Sequence, residues 1–148
     1  MKFISRQRGV TLIELIVVMI IVGILAAVAV PTYRQYVIRS QRSDAKDALL
    51  ALATQQEKFY LQCNTYATDI AGAPDCVAGD LQGTDTSKNA WYDLAIDAAD
   101  ATSYTVSAAA AAAGNQYQDE ACRTFRIDER GIRTADNAGG ADNTADCW

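Results

Sequence analysis

The 148-residue chain contains no histidine. A Ser-His or Cys-His nucleophile pair therefore cannot be assembled, and a frequent zinc ligand is missing. Cysteine offers no substitute, because Cys63, Cys76, Cys122 and Cys147 are widely spaced and form no C-x-x-C pair. Phosphate-cradling loops are lacking too: NAGGADN, residues 137–143, has neither the lysine nor the strand–helix context. Basic side chains are scarce toward the C-terminus. From Glu57 onward there are 15 acidic against 6 basic residues, a net of −9, which argues against a generic nucleic-acid-binding surface. No enzymatic activity, cofactor or resident metal is expected.

Charge is almost absent from residues 10–30, where Glu14 is the single ionisable side chain. As a helix this run is about 31 Å long, the thickness of a bilayer's hydrocarbon core. Lys2, Arg6 and Arg8 precede it, and Arg34, Arg39 and Arg42 follow. A secretory signal peptide would use Ala27-Val28-Ala29 for cleavage, but the run exceeds the usual 7–15 residues or so of such a region. A plain anchor explains the length and leaves Glu14 as an unrewarded cost of about 2.5–3.5 kcal/mol. Cleavage between Gly9 and Val10 resolves this. It creates an α-amine about one turn from Glu14, and in an assembly a neighbour's amine could neutralise the carboxylate, since a buried charge is tolerable when paired.

The segment RGVTLIELIVVMIIVGILAAVAVPTYRQY, residues 8–36, closely resembles the class III signal sequence and N-terminal helix of type IV pilins. The likeness covers the short basic leader, Gly9, Glu14 in fifth place after the cut, Gly23, Pro31, Tyr33 and Tyr36. It implies cleavage after Gly9 and N-methylation of Val10 by prepilin peptidase. It also implies storage as a single-pass inner-membrane precursor. The pilus assembly machinery would then polymerise it with other pilin subunits into a helical, extracellular filament. Val10 departs from the phenylalanine usual at that place. Gly23 and Pro31 weaken a helix by entropy and by a missing N–H, and the family implies that this stretch can melt on assembly.

After Pro31 the pattern becomes amphipathic. Ala45, Ala48, Leu49, Leu52, Phe59 and Tyr60 recur at helical spacing, interrupted by Gln56, with Arg42, Lys46, Gln55 and Lys58 on other faces. No Gly or Pro occurs from Thr32 to Cys63, so the helix is expected to run from Val10 to Leu61. Residues 64–89 read as a loop. Alternation then predicts strands in WYDLAI, YTVSA and RTFRI, followed by a DERG turn into IRT. The alanine run 108–113 is expected to pass from strand to loop, being too short to nucleate a helix alone. The expected fold is α+β, of the type IV pilin kind, with a long helix packed on a small antiparallel sheet. Its segments are a leader (1–9), a hydrophobic transmembrane and assembly helix (10–31), an amphipathic helix (32–62) and a β-domain (63–148).

Four cysteines in a translocated domain favour two disulfides, with three connectivities open. A Cys63–Cys76 bridge would close a short loop after the helix, worth about 3 kcal/mol in the entropic picture. CRTFRIDERGIRT…DCW resembles the end of PilE-like minor pilins. That resemblance implies a Cys122–Cys147 bridge around a displayed loop.

A minor pilin is therefore the preferred reading. The alternatives are a major pilin, a DNA- or surface-binding pilin, and a type II secretion pseudopilin. The acidic stretch 136–146 lacks EF-hand spacing and reads as a solvated loop. Arg123, Arg126, Arg130 and Arg133 form the single basic cluster of the acidic domain. The preferred reading is a solvated strand face balanced by Asp119, Glu120, Asp128 and Glu129. The alternative is a DNA-contact strip with marked salt dependence.

Overall fold

The computed structural model describes residues 10–72, 75–76 and 79–148. Helix α1 occupies Leu12–Cys63. Thr11 caps its start, the hydroxyl accepting the Glu14 N–H at 3.3 Å, which satisfies one of the four free donors of a helix N-terminus. The helix continues through Pro31, whose ring nitrogen cannot donate; one residue on, the Thr32 hydroxyl donates to Val28 O at 3.0 Å. It ends at Asn64, which takes a left-handed φ of 54° and donates its N–H to Tyr60 O at 2.8 Å, a conformation asparagine tolerates. The chain divides into two compact units, one ending at Tyr36 and one spanning Val37–Trp148. The part of α1 from Val37 onward lies in the second unit.

In the second unit the sheet has four strands, β1 (Tyr92–Ala99), β2 (Tyr104–Ala110), β3 (Thr124–Asp128) and β4 (Arg133–Asp136), all antiparallel in the order β1-β2-β3-β4. Period-two alternation puts Tyr92, Tyr104, Val106, Ala108, Phe125 and Ile127 into the core opposite Ala45, Leu49, Leu52 and Phe59 of α1. A bulge between Ile96 and Ala98 leaves Asp97 outside the register. Its carboxylate accepts the Ser107 hydroxyl at 2.7 Å. β2 ends at Ala110, so the alanine run does pass from strand into loop. Two short elements lie in segments read as loop: a 3-10 turn at Asn115–Gln118 and helix α2 at Thr144–Cys147.

Gln56, the polar residue in the apolar stripe, is fully buried. Its Nε2 donates to Ala67 O and its Oε1 accepts the Ala67 N–H, both at 2.9 Å. The interruption in the stripe is where the loop after α1 is fastened to the helix.

Candidate functional site

In the first unit, apolar side chains are exposed along the whole described stretch, from Val10 to Val30. This part of α1 is long and apolar enough to cross a membrane. Glu14 stands in its first turn, where a negative charge is favoured by the helix dipole. Thr11 and Glu14 hold the spacing of a capping box, a local signal the sequence reading missed. Half of the box is formed. The Glu14 amide is capped, while its carboxylate makes no hydrogen bond or ion pair among the described residues. Gly9, the expected cleavage residue, lies outside the described residues. A Cβ on Gly23 would meet nothing within 4 Å, so nothing among the described residues requires glycine there.

The cysteines are joined as Cys63–Cys76 and Cys122–Cys147, with Cα separations of 5.3 and 5.7 Å. The second bridge ties the start of β3 to α2. Trp148, next to it, packs edge-on against Phe125 at 5.7 Å and donates its indole N–H to Thr134 O.

The four arginines do not form one strip. Arg126 on β3 pairs with Asp136 and Asp97, and the Asp136 hydrogen bond raises its pKa further above the ordinary arginine value. Arg130, in the β3–β4 turn, pairs with Asp128 and Glu129. Asp128 is held below the usual carboxylate range: burial alone would raise it, but the Ile132 N–H and the Arg130 contacts outweigh that. Arg123 stacks its guanidinium 3.8 Å over the Tyr117 ring. Arg133 lies opposite Ile127 in the register, and Arg126 opposite Thr134. Residues directly opposite share a face, so Arg126 and Arg133 project to opposite sides of the sheet.

The expected charge balance is corrected as well. Asp119 neutralises Arg42, accepting from its Nε at 2.7 Å and its Nη2 at 2.9 Å, with Asp119 almost fully buried. Asp97 and Asp136, not Asp119 and Glu120, serve the strand. Arg42 is accordingly no free solvent-facing residue; its side chain is 12% exposed. Buried Gln116 completes this cluster, its Nε2 donating to Ile38 O at 3.2 Å and Asp119 Oδ2 at 3.3 Å. Lys46 and Arg133 both lie near the Trp148 ring, at 5.6 and 5.2 Å from its centroid.

A family model described as "Type IV minor pilin ComP, DNA uptake sequence receptor" matches residues 31–126. Another, the "Prokaryotic N-terminal methylation motif", matches residues 4–30. The chain is 44% identical over 77 residues to the type IV major pilin protein PilA of Myxococcus xanthus, covering 50% of this chain and 35% of PilA. Fimbrial protein EcpC of Eikenella corrodens is 42% identical over 67 residues, covering 45% and 44% of the two chains. Type IV major pilin protein PilE of Neisseria gonorrhoeae is 40% identical over 83 residues, covering 53% and 47%. The chain thus spans between a third and a half of the length of these relatives. The solved structure of the non-core minor pilin PilV of Neisseria meningitidis superposes with a TM-score of 0.50 at 16% identity, over 72% of this chain and 93% of PilV. That likeness speaks for the shared fold.

Proposed function

The chain belongs to the ComP family of type IV minor pilins, and from that premise we propose that it is a low-abundance structural subunit of a type IV pilus. Prepilin peptidase cuts after Gly9 and methylates the Val10 amine. The precursor waits as a single-pass protein of the inner membrane, and the assembly machinery then draws it into the extracellular filament among other pilin subunits. The observation that carries this reading is a bilayer-length apolar stretch, residues 10–30, whose one charged side chain, Glu14, has a carboxylate unpartnered among the described residues. In a dry filament core such a carboxylate is stable when a neighbour's Val10 amine neutralises it. The segment between Gly23 and Pro31 gives way when the subunit is packed, because glycine and proline hold helix least well. The Cys122–Cys147 loop favours a pilus subunit over a pseudopilin. Quantitative mass spectrometry of sheared filaments tests the reading. A small constant fraction, starting at Val10, is expected. A dominant share would make the chain a major pilin, as its relatives PilA and PilE are named, and absence from filaments would overturn the proposal.

A second reading concerns cargo. The family description supports a role as a receptor for DNA during uptake. The acidic balance of the domain means that any such contact must be confined to a local basic patch.

A further inference from the structure

A groove of about 340 Å³ runs along α1 within the second unit, between the helix and the segment that leads into β1. Its volume falls in the range of small-ligand sites. The helix contributes two carboxylates, Asp44 and Asp47, one turn apart. The apolar lining is Ala48, Ala51, Leu52 and Leu94. Residues 84–88 form the other side and are pinned to β1. The Leu94 N–H donates to Asp85 O at 2.7 Å, the Ser87 N–H to Tyr92 O at 2.8 Å, and the Tyr92 N–H to the Ser87 hydroxyl at 3.1 Å. The groove is therefore pre-formed.

Asp44 is the member that packing does not explain. The residue is 8% exposed. Its Oδ1 accepts from Asn89 Nδ2 at 2.9 Å, while its Oδ2 is buried without a hydrogen-bond partner among the described residues. Neither Asp44 nor Asp47 forms an ion pair among the described residues, although Lys88 lines the same groove. A solvated helix face would account for exposed Asp47 but not for Asp44, since a buried carboxylate without a cation is costly. The turn that delivers Asn89 is closed by Ala90 at a φ of 54°, its N–H donating to Ser87 O at 2.9 Å, a conformation strained for a residue with a side chain. One oxygen of Asp44 is thus fixed and the other is left free.

We propose that this groove binds an alkylammonium group, with the ammonium on Asp44 Oδ2 beside Asp47 and the methylene stem along Ala48, Ala51, Leu52 and Leu94. Such a cation lays its stem on apolar surface while its head keeps a polar partner. A guanidinium suits the site less well, because its fork is matched by two carboxylate oxygens and Asn89 already occupies one. The group is carried by a free aliphatic amine and by a lysine side chain of another protein.

Amide chemical shifts of the full chain in zwitterionic micelles, titrated with n-butylammonium, test this. Saturable shifts are expected at Thr86, Ser87 and Leu94, and n-butanol, of the same length without the charge, should give none. Asp44→Asn keeps the shape and the Asn89 contact and should weaken binding at least about tenfold. Its melting temperature should be no lower than that of the wild type, because it removes an uncompensated buried charge. Ala51→Leu, at an exposed helix position, keeps both acids and should weaken binding by filling the apolar lining. Nα-acetyl-lysine methylamide separates the sources: binding as tight as that of n-butylammonium assigns the site to a lysine side chain, and markedly weaker binding assigns it to a free amine. The proposal is overturned by the absence of saturable shifts with n-butylammonium, by equal shifts with n-butanol, or by unchanged affinity in both Asp44→Asn and Ala51→Leu.

Discussion

Gln56 and Ala67 exchange two hydrogen bonds, side-chain amide against backbone, each 2.9 Å long and buried. The geometry imitates one rung of a β-ladder and fixes the first loop to α1. Gln56→Leu keeps the volume but leaves a buried N–H and a buried C=O without partners, at about 1–3 kcal/mol each. A loss of about 2–5 kcal/mol is expected in urea unfolding of the full chain in micelles. A loss below about 0.5 kcal/mol would mean that the pair adds nothing beyond what water supplies.

Asp100 organises the β1–β2 turn. Its carboxylate accepts the N–H groups of Thr102 and Ser103 at 2.6 and 2.8 Å, together with both hydroxyls. These bonds, the backbone ones first, lower its pKa from the ordinary 3.8 to about 2. A carboxylate depressed in the folded state stabilises above its unfolded pKa and loses that contribution as pH falls through the folded value. The turn's contribution should therefore be complete at pH 5 and fade between about pH 4 and 2. Melting temperatures of wild type and Asp100→Asn should differ at neutral pH and converge toward pH 2. Parallel curves down to pH 2 would contradict the assignment.

The two disulfides should not be equivalent. Cys122 and Cys147 are buried and span 25 residues, whereas Cys76 is exposed and Cys63–Cys76 spans 13. The longer loop restricts the unfolded chain more, and removing a native bridge costs about 2–5 kcal/mol. Cys122→Ala/Cys147→Ala also loosens Trp148 from Phe125. It should lie at the upper end of that range and Cys63→Ala/Cys76→Ala at the lower end, by denaturation under non-reducing conditions. The reverse order would show that the first loop, and not the C-terminal one, is the main staple.

The alternation of Tyr92, Leu94 and Ile96, of Tyr104, Val106 and Ala108, and of Phe125 and Ile127 made the sheet readable, because a half-buried strand repeats every two residues. The helix was readable from its stripe and from the lack of Gly and Pro between Thr32 and Cys63. Contacts across long separations were not. Arg42 meets Asp119 at 77 residues' distance, and nothing local marks either as the other's partner. Gln56 looked like a flaw in the stripe because its partner is a backbone, which has no sequence signature. The division of Arg126 and Arg133 between faces was not legible for a further reason: a turn reverses the chain, and only the register decides which face a residue of the returning strand takes. Thr11 was legible in principle, since Thr-x-x-Glu before an apolar run is a helix-start signal.

The capping bond bears on what Glu14 is for. A local role, starting the helix, would rest on the amide that Thr11 caps. An assembly role would use the carboxylate. Glu14→Gln separates the two, because it keeps the amide and removes the charge. The variant should enter the membrane and be cut after Gly9, since losing a carboxylate lowers the cost of insertion. Incorporation should fail, because the neighbour's Val10 amine is left unpaired in a dry core at about 3–5 kcal/mol. At about 1.4 kcal/mol per tenfold, that reduces incorporation on the order of a hundredfold or more. Thr11→Val is the complement: it removes the cap, worth about 1 kcal/mol, and keeps the charge, so it should assemble nearly normally. Immunoblots of membrane and sheared-filament fractions distinguish the cases. Recovery of Glu14→Gln in filaments at the wild-type level, with Thr11→Val depleted, would assign the residue to helix initiation and not to contact between subunits.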